Sequence, residues 1–234
     1  MYVGIAYVRG GKMKKKVLLV ALAAAVVLTA CGEKKESKNT VVDTAVEETE
    51  DEAESDGFKK GTISENGWES EFLGLRYTVP EGMIMTTEEE LNSMMGISQE
   101  ILSEDFSELQ LQYAEMKSVY EMMSTDETGI TNVVITIEKL PTSNMEAKQY
   151  IKAVVKALSQ VSTINYVVES DDEVADIAGN EWTIIKCTAD YNGTSMHQKQ
   201  YIRVVDDRAA AITVTYIDDT EDMAEEIMNA FEPY

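Results

Sequence analysis

The chain has 234 residues, with 43 acidic side chains against 20 basic ones and a formal net charge of −23. That balance excludes nucleic acid as a natural partner, because neutralising phosphates needs a basic surface. It also disfavours laying the whole body flat on anionic lipid, and two cysteines do not make a disulfide-stapled scaffold.

The first informative stretch is "MKKKVLLVALAAAVVLTA", Met13 to Ala30. Lys14, Lys15 and Lys16 form a positive cluster, and Val17 to Leu28 is an unbroken run of Val, Leu and Ala. The run is shorter than the roughly 20 residues that a spanning helix needs. It fits the apolar core of a signal peptide, with the lysines retained on the cytoplasmic side. Residues Met1 to Lys12 precede this pattern, and Met13 is the better start. Residues 1–30 are therefore set aside from the fold.

The run ends in Leu28-Thr29-Ala30-Cys31. This resembles the lipobox of bacterial lipoproteins: an aliphatic residue, two small residues and a cysteine. The resemblance implies a diacylglyceryl group on the Cys31 thiol, cleavage between Ala30 and Cys31, and Cys31 as the lipidated N-terminus. Buried acyl chains, at about 0.8 kcal/mol per methylene, would then hold the protein on the outer face of the cytoplasmic membrane. The bases Arg9, Lys12, Lys14, Lys15 and Lys16 precede Cys31 and no acid does. The mature chain thus keeps 15 of the 20 bases and all 43 acids, a net charge of −28.

Residues 31–60 carry an acidic tract from Asp43 to Asp56 without a base. Such a segment has too little apolar surface to offset chain entropy, and it is expected to act as a disordered tether. A single domain is expected over 61–234.

In "SEFLGLRYTVPEG", Leu73, Leu75, Tyr77 and Val79 alternate with smaller or polar residues, the period of a half-buried strand. Pro80 and Gly82 end it. "TTEEELNSMMG" predicts a short helix with a Thr87–Glu90 capping box. "SQEILSEDFSELQLQYAEM" fits a helical face from Ser98, with an ambiguous end. "KSVYEMMST" and "TNVVITIEKLP" predict strands joined by "DETG".

"SNMEAKQYIKAVVKALSQV" is the clearest helix. Ala147, Tyr150, Ile151, Val154, Leu158 and Val161 share one face, and Ser143 with Glu146 reads as a capping box. Strands follow in "NYVVES", "EVADIA", "EWTIIKCTADY", "SMHQKQYIRVV" and "AAAITVTYI". Turns are expected at Gly179, Asn192-Gly193 and Asp206. A last helix, "EDMAEEIMNAF", is expected to be capped by Thr220 and to end at Pro233.

Helices and strands are segregated rather than strictly alternating. This predicts an α+β fold, an antiparallel sheet with helices packed on it. The opening strand closing in "YTVPEG", the central amphipathic helix, the run of antiparallel strands and the C-terminal helix together resemble the PsbP-like α/β/α sandwich. That resemblance implies binding or assembly roles and brings no catalytic set.

The chain has one histidine, His197, with no second ligand near it in sequence. It is expected on a strand surface rather than in a metal site or a triad. GxSxG, HExxH, P-loop and GxGxxG patterns are absent from the sequence. The pairs Asp171-Asp172, Asp206-Asp207 and Asp218-Asp219 read as turn or helix-entry residues without the spacing of a calcium loop. Cys187 is expected as a small buried hydrophobe. Met83, Met85, Met94, Met95, Met116, Met122 and Met123 read mainly as core filling, with a pliable apolar surface as the alternative.

Lys148, Lys152 and Lys156 recur every fourth residue on the clearest helix. They form either a solvated face or a stripe for an acidic or envelope partner. The preferred expectation is a non-enzymatic, lipid-anchored binding protein without a cofactor or metal. A carboxylate-dependent surface hydrolase and a small solute-binding lipoprotein are the alternatives. Converging carboxylates of perturbed pKa would mark the hydrolase.

Overall fold

The computed structural model describes residues 58–93, 117–162, 164–191 and 193–234. The expected helix from Ser98, the lipobox, the acidic tract, Met94, Met95 and Met116 lie outside them. The described strands are β1 (Thr62–Ser64), β2 (Gly67–Ser70), β3 (Leu75–Thr78), β4 (Met83–Met85), β5 (Ser118–Asp126), β6 (Asn132–Lys139), β7 (Asn165–Ile177), β8 (Asn180–Tyr191), β9 (Thr194–Val205), β10 (Arg208–Tyr216) and β11 (Phe231–Pro233). Helix α1 spans Ala147–Leu158 and α2 spans Glu221–Asn229. The α+β expectation holds, with antiparallel pairing throughout and helices packed on the sheet.

The strands form two sheets rather than the one expected. The larger runs β4-β5-β6-β10-β9-β8-β7, and the smaller runs β1-β2-β3-β11. Strand β10 is central to the larger sheet and buried at every position. Its alternation divides the core. Ala210, Ile212 and Val214 face the smaller sheet and α2, together with Trp68, Tyr77 and Trp182. Ala209 and Ala211 face α1, where Tyr150, Ile151, Val154 and Leu158 cover them. Strands with apolar residues on both faces follow from being sandwiched between two layers.

The hairpins use the turn chemistry the sequence carries. Asp126 Oδ1 accepts the backbone N–H groups of Gly129 at 2.6 Å and Ile130 at 3.1 Å, closing the β5–β6 turn. Ala178 and Gly179 both have positive φ, 53° and 81°, in the two-residue β7–β8 turn.

Several boundaries differ from expectation. The first expected strand begins only at Leu75, because Gly74 turns the chain with φ 65°. Helix α1 starts at Ala147, so its N-cap is Glu146 and not Ser143; the Glu146 N–H donates to Gln149 Oε1 at 3.3 Å. Strand β7 joins the two expected strands, with register shifts between Val168 and Glu173 that place Asp171 and Asp172 in a strand, not a turn. Helix α2 ends at Asn229 instead of running to Pro233. Burying Phe231 against Tyr77, with ring centroids 4.9 Å apart, draws the chain into β11 beside β3. Thr220 occupies the N-cap position, but its hydroxyl does not cap; it accepts from the Ile217 N–H at 3.2 Å and pairs with the Thr131 hydroxyl at 2.6 Å.

Candidate functional site

Strand β1 is an edge of the smaller sheet and β4 is an edge of the larger one. A cleft of about 960 Å³ opens between them, lined by residues 60–65 and 83–88. Its origin is local. The Met83 N–H donates to the Pro80 carbonyl at 3.2 Å, and Gly82 has φ 84°. This turn carries the chain out of β3 in one sheet and into β4 in the other, leaving a gap between the two edges.

The walls combine apolar side chains with edge backbone. Ile63, Met83 and Met85 line the cleft, and Ile84 is 57% exposed at its rim. Met83 and Met85 thus serve both readings of the methionines, since each packs on the core and faces the opening. Met122 and Met123 are wholly buried core residues. At one end Lys60 Nζ donates to Glu88 Oε1 at 2.8 Å, and that hydrogen bond and charge hold the Glu88 carboxyl below its usual range. Thr87 and Glu90 form the expected capping box beside it. Glu90 Oε2 accepts the Thr87 N–H at 3.1 Å, and Thr87 Oγ1 accepts the Glu90 N–H at 3.3 Å.

Behind the cleft wall lies Glu121. It sits where β5 slips register between Tyr120 and Met122, a bulge that re-aims one side chain. Tyr120 and Met122 therefore fall on opposite faces of the sheet, and Glu121 turns toward the smaller sheet. Its Oε2 accepts the Gly61 N–H at 2.7 Å and the Trp68 Nε1–H at 3.1 Å. Its Oε1 is buried without a hydrogen-bond partner. Burial raises the carboxyl's pKa against the pull of these donors and of Lys60. Gly61 is needed here: a Cβ would overlap Trp68 Nε1 and lie 2.6 Å from Glu121 Oε2 and 2.7 Å from the Glu69 carbonyl.

A second buried acid, Glu138, lies under α1 and accepts the Tyr150 hydroxyl at 2.9 Å. Burial pushes its pKa up to about 7, opposed by Tyr150 and by the charge of Lys117. Glu138 pairs with Ala209 on the α1 face, whereas Glu121 faces the smaller sheet. The two raised carboxyls therefore do not converge. Sequence reasoning missed both. Their one signal is an acid within an otherwise apolar strand.

His197 lies on β9, partly exposed as expected. Its Nε2 is 2.7 Å from Asp218 Oδ1, and its ring stacks on Tyr216 at 5.3 Å. Asp206-Asp207 form the β9–β10 turn, and Asp218-Asp219 enter α2. Cys187 is buried in β8, and its thiol is pushed up to about 12, chiefly by burial. Lys148, Lys152 and Lys156 are all exposed on α1, away from the cleft. Ala30 and Cys31 lie outside the described residues. Among the described residues, no group of three or more His, Cys, Asp or Glu is placed to hold a metal, and no helix is long and apolar enough to cross a membrane.

No family model matches the chain, and no curated protein sequence does. The chain is similar in structure to the cyanobacterial PsbP (CyanoP) of Synechocystis sp. PCC 6803, with 12% identity, a TM-score of 0.44, and coverage of 74% of this chain and 95% of that one. It is also similar to LpqN, involved in cell envelope biogenesis of Mycobacterium tuberculosis. That match has 9% identity, a TM-score of 0.37, and coverage of 68% and 82%.

Proposed function

We propose that this chain is a lipid-anchored extracytoplasmic binding protein that takes an extended segment of another polypeptide into the β1–β4 cleft. The observation that carries the binding reading is the cleft of about 960 Å³ between two sheet edges, with Ile63, Met83 and Met85 in its walls. Edge strands present unpaired backbone groups that an added strand can satisfy. Methionine walls adapt to varied apolar side chains. Both edges are only three residues long, so backbone pairing alone would be weak and the apolar contacts must supplement it. The bound segment is therefore one with apolar residues at alternate positions.

Leu28-Thr29-Ala30-Cys31 supports the anchor. In this reading residues 31–60 are the tether and 61–234 the single binding domain. Binding is favoured over hydrolysis because the two raised carboxyls, Glu121 and Glu138, point to opposite faces of the larger sheet.

The test is selection from a displayed library of random peptides against the native chain and against Ile84→Asp. Ile84 is exposed, so the substitution spares the core. Enrichment of peptides with alternating apolar residues on the native chain, lost on Ile84→Asp, is the expected result. Peptides that bind both proteins equally would contradict the assignment.

A further inference from the structure

Lys148, Lys152 and Lys156 line one exposed face of α1, unlike most other bases of the described residues; Lys59 is likewise exposed, beside Lys60. Among the described residues, Lys60, Arg76, Lys139 and Lys186 are in ion pairs, and Lys199, Arg203 and Arg208 lie over aromatic rings. Lys148, Lys152 and Lys156 have neither kind of partner among the described residues. They are exposed at successive turns of a helix that contains no acid. The opposite face, through Tyr150, Ile151, Val154 and Leu158, is buried on the larger sheet. That burial fixes the stripe outward.

Acids lie on both layers: β7, which packs against α1, carries exposed Glu169, Asp171 and Asp172, and Glu146 caps α1. Helix α2, on the other side of the larger sheet, carries Glu221, Asp222, Glu225 and Glu226, with Asp218 and Asp219 at its entry. Layers stack about 10 Å apart, and charges are screened over about 8 Å at physiological salt. The acids of α2 are thus largely screened from whatever meets α1. The mature chain's net charge of −28 argues against docking of the body as a whole, but not against docking by this one face.

We infer that the Lys148–Lys152–Lys156 face of α1 docks on anionic lipid headgroups and orients the anchored domain on its membrane. The inference rests on the lipid-anchored reading. Two observations favour a headgroup surface over a protein. The stripe offers point charges, and among the described residues the exposed large hydrophobic ones, Ile84, Val167, Val174 and Tyr234, all lie off α1; protein interfaces take most of their affinity from buried aromatic or apolar anchors. The stretch from Cys31 to Phe58 also reaches at most about 100 Å even fully extended. The anchor therefore keeps the domain near the leaflet, where a weak contact suffices. Each lysine at an anionic surface shifts docking about fivefold.

The test couples the chain through its Cys31 thiol to maleimide lipid; Cys187 is buried and does not compete. Vesicles are phosphatidylcholine alone or with about one third phosphatidylglycerol. Acetylation of each lysine is timed by mass spectrometry, with Lys60 as the internal reference. On the anionic vesicles, Lys148, Lys152 and Lys156 should label at least about fivefold more slowly, Lys60 should be unchanged, and 1 M salt should abolish the difference. Equal stripe labelling on both vesicles, or equal slowing at Lys60, overturns the proposal. Because the coupling is chemical, this outcome is independent of lipidation in the cell, so failure of the anchor and failure of the stripe are told apart.

Discussion

Trp68 donates its indole N–H to Glu121 at 3.1 Å, joining the smaller sheet to the larger one behind the cleft. The same carboxylate oxygen accepts the Gly61 N–H at 2.7 Å. One bulged residue thus ties the chain entering β1 to β5, and it does so only while residue 61 has no side chain.

Gly61→Ala should therefore loosen the wall of the cleft. The added methyl would overlap Trp68 Nε1, and it meets the Glu69 backbone carbonyl at 2.7 Å, which cannot swing away as a flexible side chain can. Overpacking of this kind costs about 1–3 kcal/mol. Urea unfolding should show a loss in that range. A change under about 0.5 kcal/mol, the level of a neutral surface substitution, would contradict the packing described.

Glu138 gives a pH dependence whose sign is fixed. Burial raises its folded pKa to about 7 from the ordinary value of 4.5. Between these values the native state holds a proton that the unfolded state releases. Stability from this group therefore falls as pH rises through the window, by about 3 kcal/mol in all. Glu138→Gln keeps an acceptor for the Tyr150 hydroxyl and removes the titration. The variant should gain on the native chain between pH 5 and pH 8 in parallel denaturant titrations. A constant difference across that range would contradict the buried, titrating carboxyl.

These two acids show where sequence and structure part. The face of α1 was legible because Tyr150, Ile151, Val154 and Leu158 repeat at helical spacing over three turns, and β5, β6, β8, β9 and β10 are long enough to show strand character. Strands β1, β2, β4 and β11 have three or four residues each, too few for a period to emerge. Strand β11 was further hidden because Phe231 continues the apolar pattern of α2 while serving as the partner of Tyr77. The bulge at Glu121 is a matter of pairing register with β6, which β5 alone does not encode. The cleft inherits both problems: its two edges are short, distant in sequence and without a shared motif.

Cys187 should be inert in the folded protein. Its thiol is buried, with a pKa pushed up to about 12, so almost no thiolate is present at neutral pH. An aromatic disulfide reagent should label it only after denaturant is added. Rapid labelling of the native chain would contradict its placement in β8.

For the anchor, the mature N-terminus decides. Intact-mass analysis of protein from bacterial membranes should give a chain that starts at Cys31 and carries acyl lipid. Cys31→Ala should appear in the soluble fraction with its fold intact by circular dichroism. Retention of that variant in the membrane fraction would contradict lipid anchoring at Cys31.

The binding site itself is tested most directly by amide hydrogen exchange with and without a selected peptide. The account predicts slowed exchange at Thr62–Ser64 or Met83–Met85 when the peptide is added, with no slowing in Ile84→Asp. Unchanged exchange at both edges, with protection appearing elsewhere, would contradict the β1–β4 cleft as the site of binding.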